Sequence, residues 1–217
     1  MIANSYSGNT EETLSGLLEA RKRGCQILAV TTGGKLAEMI RSGDVYGAIV
    51  DPKDTNPTGF PKSGLGVSFG GLLGALVKAG LLNVTKEELD LALQEIDKGR
   101  KSWDAKETAS FLHGSIPVLL SSRPLLGALN AGRNAMCEIS RNFTEFYDFP
   151  EVNNVLVEAV GKPQAALTKK YLFFESKFSH DRIKLRYEIT KKIFEEQGLQ
   201  FKAYNLQSST VLGQSLE

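Results

Sequence analysis

Short apolar runs alternate with stretches of helical period along the first fifty residues. Met1-Ile2-Ala3 is an apolar start that enters a turn of Ser, Gly, Asn and Thr, and residues 11–23 carry the spacing of an amphipathic helix. Residues 25–31 form a run suited to a buried strand and end at Gly33-Gly34. Residues 35–41 fit a short helix and 45–50 another strand. Strand, helix, strand, helix, strand predicts right-handed crossovers and a parallel sheet. Residues 51–62, with Pro52, Pro57 and Pro61, read as a loop.

Residues 64–82 are apolar and glycine-rich, with Gly66, Gly70 and Gly74 at the spacing of a close-packing face. Lys78 interrupts the run, so the expectation is a buried helix packed through that glycine face and not a membrane span. Residues 85–112 are charged and helix-periodic, and Thr85 with Glu88 makes a capping box. The alternation then restarts: strand at 116–120, helix at 125–140, strand at 171–174, helix at 181–197 closed by Gly198, and strand at 201–206. The expected organisation is a first α/β domain over 1–84, a helical connection over 85–114 and a second α/β domain over 115–217. Trp103, Phe143, Phe146 and Tyr147 are expected in the core or at a subunit contact.

Composition removes several classes of function. Lys and Arg total 26 and Asp and Glu 25 in 217 residues, a net charge of +1, so there is no electrostatic case for a nucleic-acid partner. The basic clusters at 21–23 and 191–192 read as solvated helix faces. Cys25 and Cys137 lie far apart, as do His113 and His180, which gives no support to a disulfide framework or a metal centre. His180 reads as structural or as part of an interface. No charged leader precedes an apolar core, so the expected location is the cytoplasm.

The strongest local signal is Ser5-Tyr6-Ser7-Gly8-Asn9-Thr10-Glu11-Glu12-Thr13, placed after a strand and opening a helix. Helix N-termini offer unpaired N–H groups and a partial positive charge, so a phosphate can sit there without a lysine. Gly8 lets the backbone approach, Ser5, Ser7 and Thr10 offer hydroxyls, and Asn9 sits among them. Glu11 and Glu12 have to point away from such an anion. On composition alone the segment fits equally well a plain helix cap at Asn9 or Thr10. No nucleoside-triphosphate signature is present, so a small phosphate monoester fits better.

That segment, with residues 27–30 and Thr31-Thr32-Gly33-Gly34-Lys35-Leu36-Ala37-Glu38, resembles a sugar isomerase (SIS) domain, and more narrowly the bifunctional glucose-6-phosphate/mannose-6-phosphate isomerases. The resemblance extends to Cys137-Glu138-Ile139-Ser140-Arg141, to Pro150-Glu151-Val152-Asn153-Asn154-Val155-Leu156, and to stretches around His180 and Glu188. It implies two three-layer α/β/α domains with parallel sheets, the first incomplete, and a chain truncated at both ends. It implies a phosphorylated hexose as substrate, a homodimer, and neither a metal nor any other cofactor.

By the same resemblance Ser5, Ser7 and Thr10 fall on phosphate-binding positions and Glu138 on the catalytic glutamate. A single carboxylate can carry a proton between C1 and C2 through a cis-enediol. Lys62, Arg133 and Arg141 are candidate cations for the enediolate oxygen. Asn154 stands where the family has its ring-opening histidine, and an amide cannot exchange a proton near neutral pH. Lys62 replaces a family arginine, which keeps charge and loses the two-pronged geometry. The alternative reading is a non-catalytic phosphosugar-binding or structural relic.

Overall fold

The computed structural model describes residues 1–160, 166 and 168–217, and the backbone alone at 100–102. The chain divides into two compact units, Met1–Val84 and Thr85–Glu217.

In the first unit, β1 (Ile2–Ser5), β2 (Leu28–Thr31) and β3 (Tyr46–Ile49) form a parallel sheet in that order, with Ala3 beside Ala29 and Ala29 beside Gly47. Both connections step the same way across the sheet. Right-handed crossovers therefore put α1 (Glu11–Lys22) and α2 (Gly34–Arg41) on one face. That face buries Ala3, Leu17, Ala29, Leu36 and Val45, with Leu14, Met39 and Ile40 packed against them. Alternation along β2 sends Val30 to the other face, which α3 (Leu65–Lys78) covers.

The packing of α3 differs from the sequence expectation. Gly66, Gly70 and Gly74 are exposed, and a methyl group added at any of them would meet open space. The close approach is made by Gly71, where an added Cβ would lie 2.9 Å from Val30 Cγ1 and 2.7 Å from Val50 Cγ2. The glycine spacing is real, but it marks the outer side of the helix. Among the described residues no helix is long and apolar enough to cross a membrane.

The second unit opens with α4 (Lys86–Ser102) and α5 (Ala105–Leu112), where a single helical stretch was expected. Thr85 and Glu88 complete the capping box of α4, and Asp104 caps α5 by accepting from Glu107 N at 2.9 Å, so the break falls at Trp103–Asp104. Both helices belong to this unit: α4 packs on α9 (Val211–Leu216), and Trp103 stacks on Tyr204 with ring centres 4.6 Å apart.

The sheet here is parallel with order β5-β4-β6-β7, built from β4 (Ile116–Ser122), β5 (Glu145–Phe149), β6 (Lys169–Glu175) and β7 (Gln200–Asn205). β4 is almost continuously buried, as a central parallel strand must be. The chain runs from β4 to β5 in one direction and from β6 to β7 in the other. The same handedness rule then sends α6 (Leu126–Glu138) and α8 (Asp181–Glu196) to opposite faces. Short α7 (Leu156–Val160) lies on the α8 side.

On that side Tyr187, Thr190 and Phe194 follow helical spacing and are fully buried. Tyr187 meets Phe149 edge-on at 4.5 Å, and Phe194 lies 4.6 Å from Tyr171. Thr190 accepts a bond from Asn153 Nδ2 at 2.8 Å, which satisfies a polar group at the centre of an apolar face. Lys191 departs from the solvated face expected of it. Its side chain is 17% exposed, and its ammonium group binds Glu175 at 2.9 Å and Glu188 at 2.6 Å. Burial alone would lower its pKa; the two carboxylates outweigh it and hold the lysine above its ordinary value.

β5 was not foreseen. Phe146 packs under α6 and Tyr147 toward the opposite core, while Phe143 is 71% exposed.

Tyr171 is fully buried, and its hydroxyl has no hydrogen-bond partner among the described residues. Burial first, then the charge of Glu145, pushes its pKa up to about 12. Because burial lifts the folded value above the unfolded one, the titration of this group leaves stability unchanged below about pH 10 and lowers it as pH rises toward 12. Tyr171→Phe is therefore expected to raise stability by about 1 kcal/mol in urea titrations and to flatten the fall in stability between pH 10 and 12. A loss of stability at neutral pH would contradict the orphaned hydroxyl.

Candidate functional site

The loop after β1 is built against the loop after β2. Gly8 sits at φ 70°, and a Cβ there would come within 1.8 Å of the Gly33 carbonyl oxygen. Leu36 N donates to Gly8 O at 3.0 Å, so the two helix-opening turns hold each other. Asn9 does not cap its own helix. Its Oδ1 accepts from Lys35 N at 3.0 Å, in the first turn of α2.

Thr10 occupies the cap position of α1 and makes no side-chain capping bond. Its hydroxyl lies 2.8 Å from Ser5 Oγ, and Gly8 N donates to that same Ser5 oxygen at 3.1 Å. Asn9 N donates to Ser7 Oγ at 3.3 Å. Ser5 and Gly8 are buried, while Ser7, Asn9 and Thr10 are exposed. The loop thus groups three hydroxyls at the start of a 12-residue helix whose first N–H groups no side chain caps among the described residues. A helix start of that kind favours an anion. Glu11 lines the groove that α1 forms with α2, beside Leu14, Lys35 and Met39.

Two residues of this neighbourhood escaped sequence reasoning. The Tyr6 hydroxyl accepts from Asn56 Nδ2 at 2.7 Å, joining the hydroxyl loop to the proline loop. Fifty positions separate the pair, and no local pattern announces it. Lys62 lies exposed in the single 3₁₀ turn Pro61–Ser63 that ends this loop.

In the second unit Glu138 is the last residue of α6 and is exposed. Arg133, one turn earlier, donates to Asn130 Oδ1 at 2.9 Å and holds its guanidinium 5.6 Å from the Phe146 ring centre. Arg141 adopts φ 52°, the left-handed conformation that usually falls to glycine just past a helix end. Asn154 follows the turn Glu151–Asn153 and donates to Glu151 Oε1 at 3.0 Å.

These residues are not all together. α6 returns along the sheet, so Glu138 and Arg141 lie at the edge where β5 starts, whereas Asn154 lies beyond the edge where β5 ends. The 5 residues of β5, at about 3.3 Å each, separate the two edges. His180 caps α8 by accepting from Arg182 N at 3.1 Å, a structural role. Among the described residues no group of three or more His, Cys, Asp or Glu side chains converges as a metal site.

Residues 101–217 match the family described as the bacterial phospho-glucose isomerase C-terminal SIS domain. This chain belongs to that SIS-domain family. The bifunctional phosphoglucose/phosphomannose isomerase of Aquifex aeolicus is 33% identical over 200 residues, covering 90% of this chain and 58% of that protein. The enzyme of the same name from Caldicellulosiruptor bescii is 29% identical over 204 residues, with 89% and 59% covered. The chain thus spans less than two thirds of the length of these curated relatives.

Solved structures agree on the fold. A glucosamine-6-phosphate deaminase from Thermotoga maritima superimposes with TM-score 0.63 at 17% identity, over 99% of this chain and 64% of that one. The C-terminal domain of a glucosamine-fructose-6-phosphate aminotransferase from Francisella tularensis gives TM-score 0.67 at 12% identity, over 99% and 66%. The SIS family places this chain among α/β proteins with parallel sheets, as the topology does.

A non-glycine residue in the left-handed region costs on the order of 1–2 kcal/mol. Replacing Arg141 by Gly is expected to stabilise the chain by about 1 kcal/mol, read as a higher urea midpoint with unchanged slope. An unchanged or lower midpoint would mean that the arginine side chain contributes more than its backbone costs.

Proposed function

We propose that this chain acts in aldose–ketose isomerisation of a phosphorylated hexose, converting glucose 6-phosphate or mannose 6-phosphate to fructose 6-phosphate. The observation that carries the reading is the loop at 5–10, whose three hydroxyls stand at an uncapped helix start. Ser5, Ser7 and Thr10 take the phosphate oxygens, with Gly8 and Asn9 shaping the turn around them. Its relatives, bifunctional phosphoglucose/phosphomannose isomerases, support the same substrates.

Glu138 serves as the base. Its carboxylate removes the proton from C2 of the open-chain aldose, the C1 carbonyl becomes part of a cis-enediol, and the proton returns to C1. A second proton moves from the C2 hydroxyl to the C1 oxygen, which leaves the ketose with atoms and charge balanced. Arg141, three residues past Glu138 and at the same edge of the sheet, supplies positive charge to the enediolate oxygen. Arg133 contributes through its place on α6.

Glu138 and Asn154 sit at opposite edges of one sheet, so a sugar touched by both would need them from two copies of the chain. The reading therefore includes a homodimer. Asn154 also favours a second reading, a phosphosugar-binding protein without turnover, because an amide cannot serve as the general acid or base of ring opening near neutral pH.

Glu138→Gln is expected to lower fructose 6-phosphate formation at least about 100-fold in a coupled assay while leaving sugar-phosphate binding within about twofold. Binding without turnover in the unaltered chain would select the second reading. Turnover that survives Glu138→Gln would remove the glutamate from the chemistry.

A further inference from the structure

The proline loop between β3 and α3 is closed from inside by one polar side chain. Asn56 is 4% exposed. Its amide nitrogen donates twice, to Tyr6 Oη at 2.7 Å and to Phe60 O at 2.9 Å, and its Oδ1 accepts from Thr58 Oγ1 at 2.8 Å. Its backbone is tied on both sides: Asn56 N donates to Pro52 O at 2.7 Å, and Gly59 N donates to Asn56 O at 3.0 Å. An asparagine has two N–H donors, and here both are committed to bonds within the fold.

Tyr6, the residue that Asn56 grips, lies between Ser5 and Ser7 and is itself held. Its carbonyl accepts from Thr32 N at 3.0 Å, from Thr32 Oγ1 at 2.7 Å and from Thr31 Oγ1 at 3.3 Å. Its ring lies flush on Gly64, where an added Cβ would come within 2.1 Å of Tyr6 Cε2. Lys62 stands two residues before Gly64. The hydroxyl loop and the only lysine of the 3₁₀ turn are thus joined through one tyrosine ring and one buried amide.

A lysine acts as a point charge on a flexible stem, so what it contributes depends on where its backbone is held. On an untethered loop its charge is screened and contributes little. We propose that Asn56 is a positioning residue: by clamping residues 57–64 to Tyr6, it places Lys62 to bind a sugar phosphate held by Ser5, Ser7 and Thr10. The proposal rests on the phosphosugar reading above and adds to it a residue that touches no substrate.

The test is calorimetric titration of the whole chain with fructose 6-phosphate at low salt, using Lys62→Met in three backgrounds: unaltered, Asn56→Ala and Asn56→Asp. Asn56→Asp keeps the shape and the bond from Thr58 and loses the bond to Phe60 O; because the Tyr6 hydroxyl can turn to donate to the new carboxylate, this background carries Tyr6→Phe as well, so that it tests the clamp even where the alanine variant folds poorly. Tyr6→Phe keeps the ring on Gly64 and removes the accepting oxygen. Lys62→Met is expected to weaken binding about tenfold in the unaltered chain and less than twofold in either Asn56 background. Tyr6→Phe should reduce the effect of Lys62→Met in the same direction. A merely structural Asn56 would weaken binding without changing the factor contributed by Lys62.

Equal Lys62 factors in all backgrounds, or no Lys62 effect in the unaltered chain, overturn the clamp. If Ser5→Ala and Thr10→Val still weaken binding in that case, the hydroxyl-loop reading stands without it. Absence of fructose 6-phosphate binding, or binding indifferent to Ser5→Ala and Thr10→Val, overturns both.

Discussion

Parallel pairing is the constraint from which the rest follows. Each strand must be re-entered from the same end, so each helix has to run back along the sheet, and the turns that open helices gather at one edge. In the first unit this brings the turn after β1 beside the turn after β2, where Gly8 meets the Gly33 carbonyl with no space for a side chain on Gly8. In the second it sends the end of α6 to the opposite edge from the turn after β5, and so parts Glu138 from Asn154. Neither arrangement depends on the identity of the charged side chains.

The hydroxyl loop is assembled from neutral groups alone. Asn9, a residue type suited to capping its own helix, satisfies the next helix instead. That leaves the first N–H groups of α1 without a side-chain cap, and Thr10 turns its hydroxyl toward Ser5. Burial of Ser5 and Gly8 fixes the base of the loop, while Ser7 and Thr10 remain at the surface. The helix dipole and these donors favour negative charge without a lysine in the turn.

The second unit derives its order from aromatic packing around β6. Phe173 touches Phe149, Tyr187, Phe194 and Phe201 with ring centres 5.5–6.5 Å apart. Burying a side chain of this size contributes about 1.5–3 kcal/mol, so a cluster of them outweighs any single surface ion pair. The polar groups admitted to this core are paired, as Thr190 is with Asn153 and Tyr187 is with Ser122 at 2.9 Å, and Tyr171 stands out because its hydroxyl is not.

Local chemistry made much of this legible in advance. The apolar runs at β2 and β4, the capping box at Thr85 and Glu88, the stop at Gly198 and the hydroxyl-rich turn at 5–10 all express preferences of a few neighbouring residues. The family motifs around Glu138 and Asn154 were likewise written in short segments. β5 was hidden because Glu145 and Asp148 break its apolar pattern, and only its pairing with β4 makes it a strand. The outward glycine face of α3, the half-buried Lys191 and the Asn56–Tyr6 bond were hidden for a related reason. Which side of a helix meets the sheet, and which distant residue supplies a missing partner, are set by how the elements pair in space. Sequence by itself determined the elements and the chemical groups they carry; tertiary structure decided which groups share an edge, because strand order and crossover handedness fix distances that no local spacing encodes.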